Sequence, residues 1–289
     1  MGRLIYGTAY DGMIRFSLID SKDIVSELRE RHKLSYLPTV VLGRLTTAAG
    51  LVIPWLSEKE TITFVISGNG PAGNVVSQSS AKGTVRGYIT NKDFELEPNE
   101  IGKFDVKNAI GQGELTVVRD VGLRTPYVSK VPLISGEIAE DVAYYYTKSE
   151  QIPSAFALGV LMEKNGVLTS GGLAVQILDR HLPNEVIIKI ESNLKNFSMT
   201  HYLFDNIPLE EIASYVLGVN NLIYEETNVI FKCNCNKEKA FESIMILELE
   251  DLYELLSEEK AEVTCKWCGS VYLFDKEDIE KAIELKKKE

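Results

Sequence analysis

All four cysteines of this 289-residue chain, Cys233, Cys235, Cys265 and Cys268, fall in its last fifth, spaced C-x-C-x29-C-x2-C. Two close pairs, separated by enough chain to fold back, offer four sulfurs to one point. Soft thiolates in a tetrahedral set select zinc. A disulfide-stapled secreted fold would spread its cysteines around the chain. Four inert buried thiols would have no reason to be paired at both ends of one short segment. The first pair, in "KCNCNKEK", is closer than the two to four intervening residues that zinc pairs usually have. Taken alone, it leaves metal ligation, a disulfide or two plain thiols open.

The segment from Lys232 to Glu289 has 289 − 231 = 58 residues. A core that small rarely contributes more than ~3 to 5 kcal/mol, whereas structural zinc contributes an apparent ~10 to 16 kcal/mol near neutral pH. The metal is therefore expected to decide whether this segment folds, with one Zn(2+) per chain on the four cysteines. Four thiolate ligands close the coordination sphere and leave no position for a catalytic water. The same sulfurs form a redox element. Lys232, Lys237, Lys239 and Lys266 surround the pairs, and nearby cations favour thiolate.

Composition narrows the partners. With 31 basic and 42 acidic residues the net charge is −11, and no basic patch interrupts it. A phosphate backbone is repelled by such a chain, so no nucleic-acid partner is expected. The most apolar run, Val40 to Leu56, contains Arg44 and falls short of the roughly 20 apolar residues that span a bilayer. No membrane partner is expected. The N-terminal "MGRLIYGTAYDG" lacks a basic region followed by an apolar one, which points to the cytoplasm.

Hydrophobic periodicity divides the chain in three. Residues 1–178 read as one α+β domain. It begins with a hairpin around Asp11-Gly12, a helix from a Ser21 cap to about His32, and a very apolar helix after Pro38. Alternating, β-rich segments with turn signals then run from Glu60 to Val131, as in an antiparallel sheet. A helix capped by Ser135 and a hairpin of two strands around Asn165-Gly166 complete the domain. Residues 179–231 read as a helical linker. Val186, Ile187, Ile190, Leu194 and Phe197 share one helical face, and "PLEEIASYVLG" forms a second amphipathic helix. These helices have no strand partners of their own, so their apolar face must be covered by a neighbouring domain. Residues 232–289 read as the small C-terminal module, with short strands flanking "CKWCG" between helices.

Other motifs carry little chemistry. "GNGPAG" (Gly68 to Gly73) matches G-x-G-x-x-G, but the following "NVVSQSS" is β-like and Pro71 lies inside the motif. A hairpin is expected, because a dinucleotide turn must open into a helix. His32, His181 and His201 stand apart and read as solvated or capping residues. Glu137, Glu140 and Asp141 read as a solvated helix face. No catalytic residues are assigned, and the chain is read as a non-enzyme. Two functions other than a redox-switched binder use the same cysteines. One is a thiol-disulfide oxidoreductase acting through Cys265 and Cys268, although such a motif normally begins a helix of a βαβ fold. The other is a zinc-ribbon nucleic-acid binder, which the charge disfavours.

The four-cysteine pattern, with "LGRLTTAAGL", "GNGPAGNVVSQSSAKGTVRGYITN", "GELTVVRDVGL" and "PYVSKVPLISGEIAEDVAYYYTKSEQIPSAFALGV", resembles the redox-regulated heat-shock protein 33 family along the whole chain. The resemblance implies an oxidation-activated, ATP-independent holding chaperone (holdase) of the bacterial cytoplasm. It implies zinc on Cys233, Cys235, Cys265 and Cys268 in the reduced state, and disulfides Cys233–Cys235 and Cys265–Cys268 after oxidation. With oxidation, the resemblance implies zinc release and loss of order in the linker. Unfolding client proteins, ATP-dependent refolding chaperones and a homodimer in the oxidised state are the partners it implies.

Overall fold

The computed structural model describes residues 1–258 and 260–287. They form two compact units, Met1–Lys232 and Cys233–Glu289, in a mixed α+β architecture.

The first unit opens with the expected hairpin, β1 (Gly2–Ala9) and β2 (Ile14–Asp20), followed by helices α1 (Lys22–His32) and α2 (Tyr36–Leu51). Strands β3 (Thr61–Gly68), β4 (Asn74–Ser80) and β5 (Thr84–Ile89) form an antiparallel meander. After α3 (Val106–Ile110) come β6 (Gly113–Asp120), β7 (Tyr127–Pro132) and α4 (Ala139–Lys148), then the hairpin β8 (Ser154–Glu163) and β9 (Gly166–Ile177). Three helices follow, α5 (Asn184–Leu194), α6 (Met199–Phe204) and α7 (Leu209–Leu217), and then β10 (Tyr224–Phe231). The sheet order is β7-β6-β3-β4-β5-β10-β1-β2-β9-β8.

Strand β10 is a departure from the sequence reading, which made residues 179–231 helical throughout. Tyr224–Phe231 instead pairs antiparallel with β1 and, through Ile230 and Phe231, parallel with β5. It joins the two halves of the sheet. Its alternation is masked by "EETN" at the strand centre, where the side chains are mostly solvent-facing and periodicity gives no signal.

Alternation along the central strands explains the layering. Leu4, Ile19 and Ala174 face one core with α1 and α2, whereas Ile5, Leu18, Leu173 and Val175 face a second core. That second core is completed by Leu182, Ile190, Met199, Ile212 and Val216 of the 182–217 segment. The amphipathic helices of the linker therefore find the cover that their pattern demanded, on the far face of β1, β2 and β9. Polar bonds fix α7 in place: Tyr10 Oη donates to the Leu217 carbonyl at 2.7 Å, and Arg3 pairs with Glu210 at 3.0 Å.

The stretch Tyr36–Trp55 is long and apolar enough to cross a membrane by length and composition, but 89% of it is buried inside the fold. Several local expectations change. Ser21 precedes α1, yet its hydroxyl bonds Thr47 and Ser170 in the core at 2.7 and 2.8 Å, and the Asp20 carboxylate takes the Lys22 N–H instead. Ser135 does not cap α4, which starts at Ala139. The intervening loop wraps around Asp141, whose buried carboxylate accepts N–H bonds from Ile134, Ser135, Gly136 and Ile138. Asp141 is thus no solvated residue, and Glu137 pairs with Arg44 at 2.7 Å. His32 is buried, not solvated. The glycine motif at Gly68 to Gly73 is the β3–β4 hairpin, with Ser67 opposite Asn74.

Candidate metal and redox centre

The second unit packs α8 (Lys237–Met245), α9 (Leu249–Ser257) and α10 (Lys276–Lys286) around the two-stranded sheet β11 (Lys260–Thr264) and β12 (Val271–Asp275). Its core comprises Ala240, Ile244, Leu252, Ala261, Phe274, Ile279, Ala282 and Ile283, three of them alanine. So small a core is consistent with the need for a further cross-link.

Cys233 and Cys235 lie just before α8, whose N-terminus is capped by Asn236 accepting from the Lys239 N–H at 2.9 Å. Cys265 and Cys268 occupy the turn between β11 and β12. That turn is closed by Cys265 N–H to the Ser270 carbonyl and Gly269 N–H to the Cys265 carbonyl, at 2.9 and 2.8 Å. Gly269 sits at φ +70°, a conformation that only glycine adopts without strain.

The fold brings the four sulfurs within 4.8 Å of one another. Cys235 and Cys268 lie 3.3 Å apart and Cys233 and Cys265 3.8 Å apart. A zinc–sulfur distance of ~2.3 Å in a tetrahedron puts sulfurs about 3.8 Å apart, so the donor set and its spread fit zinc. Cys268 is buried and the other three are half-buried, and all four are free thiols.

Their environments differ. Burial opposes ionisation of Cys235, but hydrogen bonds outweigh it: Tyr272 Oη donates to its sulfur at 3.1 Å, and the neighbouring thiols add to this. Together they bring Cys235 down to about 7. Burial pushes Cys265 up to about 12 and also raises Cys233. The bond to Cys235 raises Tyr272 to about 12. Two of the lysines named from the sequence are engaged elsewhere. Lys237 pairs with Asp278 at 2.7 Å, and Lys239 donates to the Asn234 carbonyl. Tyr272 and Ser270, which accepts from the Cys268 thiol at 3.2 Å, were not singled out in the sequence. Ser270 ends the cysteine turn and Tyr272 follows two residues later on β12, a period-two spacing that is the signal that could have found them.

"CKWC" lies in a turn between two antiparallel strands, not at a helix N-terminus. The three histidines are absent from the cysteine cluster.

A family model described as "Hsp33 protein" matches residues 2–275. The chain belongs to the Hsp33 family. It is similar to the 33 kDa chaperonin of Thermotoga maritima, at 49% identity over 98% of both chains. It is also similar to that of Thermosipho melanesiensis, at 45% identity over 99% of this chain and 100% of the relative. The crystal structure of the 33 kDa chaperonin (heat shock protein 33 homolog) from Thermotoga maritima superposes with a TM-score of 0.96 at 48% identity, covering 99% of each chain. The Hsp33 likeness thus extends through the four-cysteine unit as well as the large sheet.

Proposed function

We propose that this chain is a redox-regulated, ATP-independent holding chaperone that protects unfolding proteins from aggregation during oxidative and heat stress. The observation that carries the reading is the cluster of four free thiols within 4.8 Å in a unit with a small core. Family membership supports a chaperone role.

The proposal divides the chain into a chaperone domain (residues 1–178), a linker (179–231) and a switch module (232–289). In the reduced state Cys233, Cys235, Cys265 and Cys268 would hold one zinc. When bound, it supplies a closed tetrahedral cross-link worth an apparent ~10 to 16 kcal/mol near neutral pH. Oxidation then acts on the cysteines. Each disulfide forms as two thiolates give up two electrons to one hydrogen peroxide, whose O–O bond breaks and which, with two protons from solvent, becomes two waters. The pairs taken from the family resemblance are Cys233–Cys235 and Cys265–Cys268. Disulfides are no longer thiolate ligands, so zinc leaves and the switch module loses its cross-link. Loss of order then spreads back into the helices of the linker, and α5–α7 uncover the apolar face of β1, β2 and β9. The oxidised chain acts as a homodimer in the cytoplasm and passes clients to ATP-dependent refolding chaperones.

The competing oxidoreductase reading needs a low-pKa attacking thiol in "CKWC". Burial pushes Cys265 the opposite way, and the turn supplies no helix N-terminus, which disfavours that reading.

The test is to measure bound zinc, free thiols and suppression of client aggregation before and after peroxide with mild heating. Zinc loss together with gained suppression is expected. Retained zinc after oxidation, or equal suppression by both forms, overturns the proposal, and turnover of a model disulfide substrate favours the oxidoreductase.

A further inference from the structure

The sheet ends at β8, and no described strand pairs with its outer edge. The register identifies which backbone groups that edge offers. Ile177 N–H donates to the Pro153 carbonyl at 2.9 Å, and these residues continue the β8–β9 register of Ser154 opposite Gln176. Antiparallel pairs alternate between bonded and non-bonded. Ala155, Ala157 and Gly159 therefore exchange bonds with Val175, Leu173 and Gly171. Phe156, Leu158 and Val160 point their N–H and C=O groups away from β9, and among the described residues no hydrogen bond reaches them.

An edge left in this way is usually blunted by charge, proline or exposure to water. This one lies at the floor of a cleft of about 700 Å³, which residues 156–161 line. One wall comes from Val40 and Arg44 of α2 with Ala139 of α4, and the other from Met199, Thr200 and His201 in α6. The walls stand on opposite faces of the strand. Leu158 packs toward Thr47 and Leu51 of α2, whereas a side chain at Gly159 would meet Thr200 of α6 at 2.6 Å. No residue from Ser154 to Met162 is exposed.

A strand residue occupies about 3.3 Å along its axis, 4.8 Å between strands and 10 Å between layers, or about 160 Å³. The cleft therefore holds about four residues of extended chain, which matches the span of the three outward positions. We infer that this groove binds an extended, apolar polypeptide segment by strand addition to β8. The segment's backbone would take up the three unpaired N–H and C=O positions, and its alternate side chains would lie against the two walls. A second copy of this chain fits less well. Its own β8 is equally recessed between walls, so two such edges cannot approach to 4.8 Å without those walls colliding. Both charge signs stand in the cleft, in the Arg44–Glu137 pair, so no charged motif is selected. The site goes beyond the chaperone reading: its α6 wall stands only while the linker helices are docked, so it is a peptide groove of the reduced chain, separate from the face of β1, β2 and β9 that oxidation would uncover.

The test uses the reduced full chain and a capped peptide of about seven alternating Val and Thr residues. Amide hydrogen exchange is followed by NMR. Saturating peptide is expected to slow exchange at Phe156, Leu158 and Val160 about tenfold or more, leaving Ala155, Ala157 and Gly159 unchanged because they are already bonded to β9. Of two peptides N-methylated on alternate residues, one should bind about tenfold more weakly and the other normally. Ala157→Glu, which puts a charged side chain into the groove, should weaken the peptide by a similar factor. If that variant misfolds, the N-methylated pair still decides. Unchanged exchange at the three outward amides, equal binding of both N-methylated peptides, or protection that coincides with dimerisation in sedimentation overturns the inference. Aggregation assays on the same protein after oxidation separate the two proposals. Suppression by the oxidised protein with no amide protection in the reduced chain sinks the groove alone, and amide protection in the reduced chain with no suppression after oxidation sinks the chaperone reading alone.

Discussion

Replacing Ile212 by alanine tests whether the docked helices hold the chain inactive. Ile212 is fully buried in the second core, where α7 meets β1 and β2. Truncation of a buried Ile costs about 2 to 5 kcal/mol, depending on how far the cavity collapses. The lost contacts exist only while α7 is docked, so this cost falls on the docking equilibrium. At about 1.4 kcal/mol per tenfold change, the undocked population should rise about 30-fold to several thousand-fold. Amide exchange along residues 209–217 in the reduced protein measures this directly, and an aggregation assay reads its consequence. Faster exchange in α7, with suppression of aggregation before any oxidant is added, is expected. Leu28→Ala is the control, because Leu28, on α1, is equally buried but lies in the other core. If Leu28→Ala activates as much as Ile212→Ala, general loosening is the cause and the docking argument fails. If α7 exchange accelerates as expected while reduced protein stays inactive, the face of β1, β2 and β9 is not what clients need.

Three further outcomes follow from the same geometry. Cys268→Ser removes the most buried of the four cysteines; the second unit should lose amide protection at neutral pH while the melting of the first unit is unchanged, and retained protection would show that the small core suffices. Tyr272→Phe removes the donor to Cys235, so in reduced protein alkylated within moments of metal chelation, before the unit loses its fold, the Cys235 midpoint should rise from about 7 toward the ordinary 9.0. Because the folded value is depressed, the stabilisation from this thiolate is complete above the ordinary value and lost as pH falls through about 7; an unchanged midpoint would refute the role of Tyr272.

Glu60→Gln breaks a buried pair. Burial opposes ionisation of Glu60, but Arg119 at 2.7 Å and the Ser57 N–H outweigh it and hold the carboxyl below its usual 4.5. Because Arg119 is one-third exposed and keeps its pair with Glu150 at 3.1 Å, losing this charged hydrogen bond should cost about 1.5 to 3 kcal/mol, read as a lowered melting temperature. In the parent protein the contribution of Glu60 is full above pH 4.5 and lost as pH falls through the depressed value, and a variant with the same acid profile as the parent would refute this.

Much of the centre was legible in the sequence because its chemistry is local. Paired cysteines, a fold-back interval and short alternating strands around "CKWCG" are short-range signals, and the four sulfurs do meet. The amphipathic face of residues 182–217 likewise announced that something must cover it. The misreadings concern groups whose state depends on distant chain. Ser21 looks like a helix cap until Thr47 and Ser170 arrive beside it. Asp141 looks solvated until the 134–138 loop turns its N–H groups inward, and the lysines look like thiol activators until Asp278 and the Asn234 carbonyl take two of them.

The sequence by itself determined which four cysteines would gather, the α+β class and the existence of an apolar helical cover, because spacing and periodicity are properties of neighbours along the chain. Only the tertiary structure decided that β10 stitches the two halves of the sheet together, that Tyr272 tunes Cys235, and that the free edge of β8 lies at the floor of a cleft. Hydrogen-bond partners more than a hundred residues apart, such as Tyr10 and Leu217, are chosen by packing, and packing leaves no local trace.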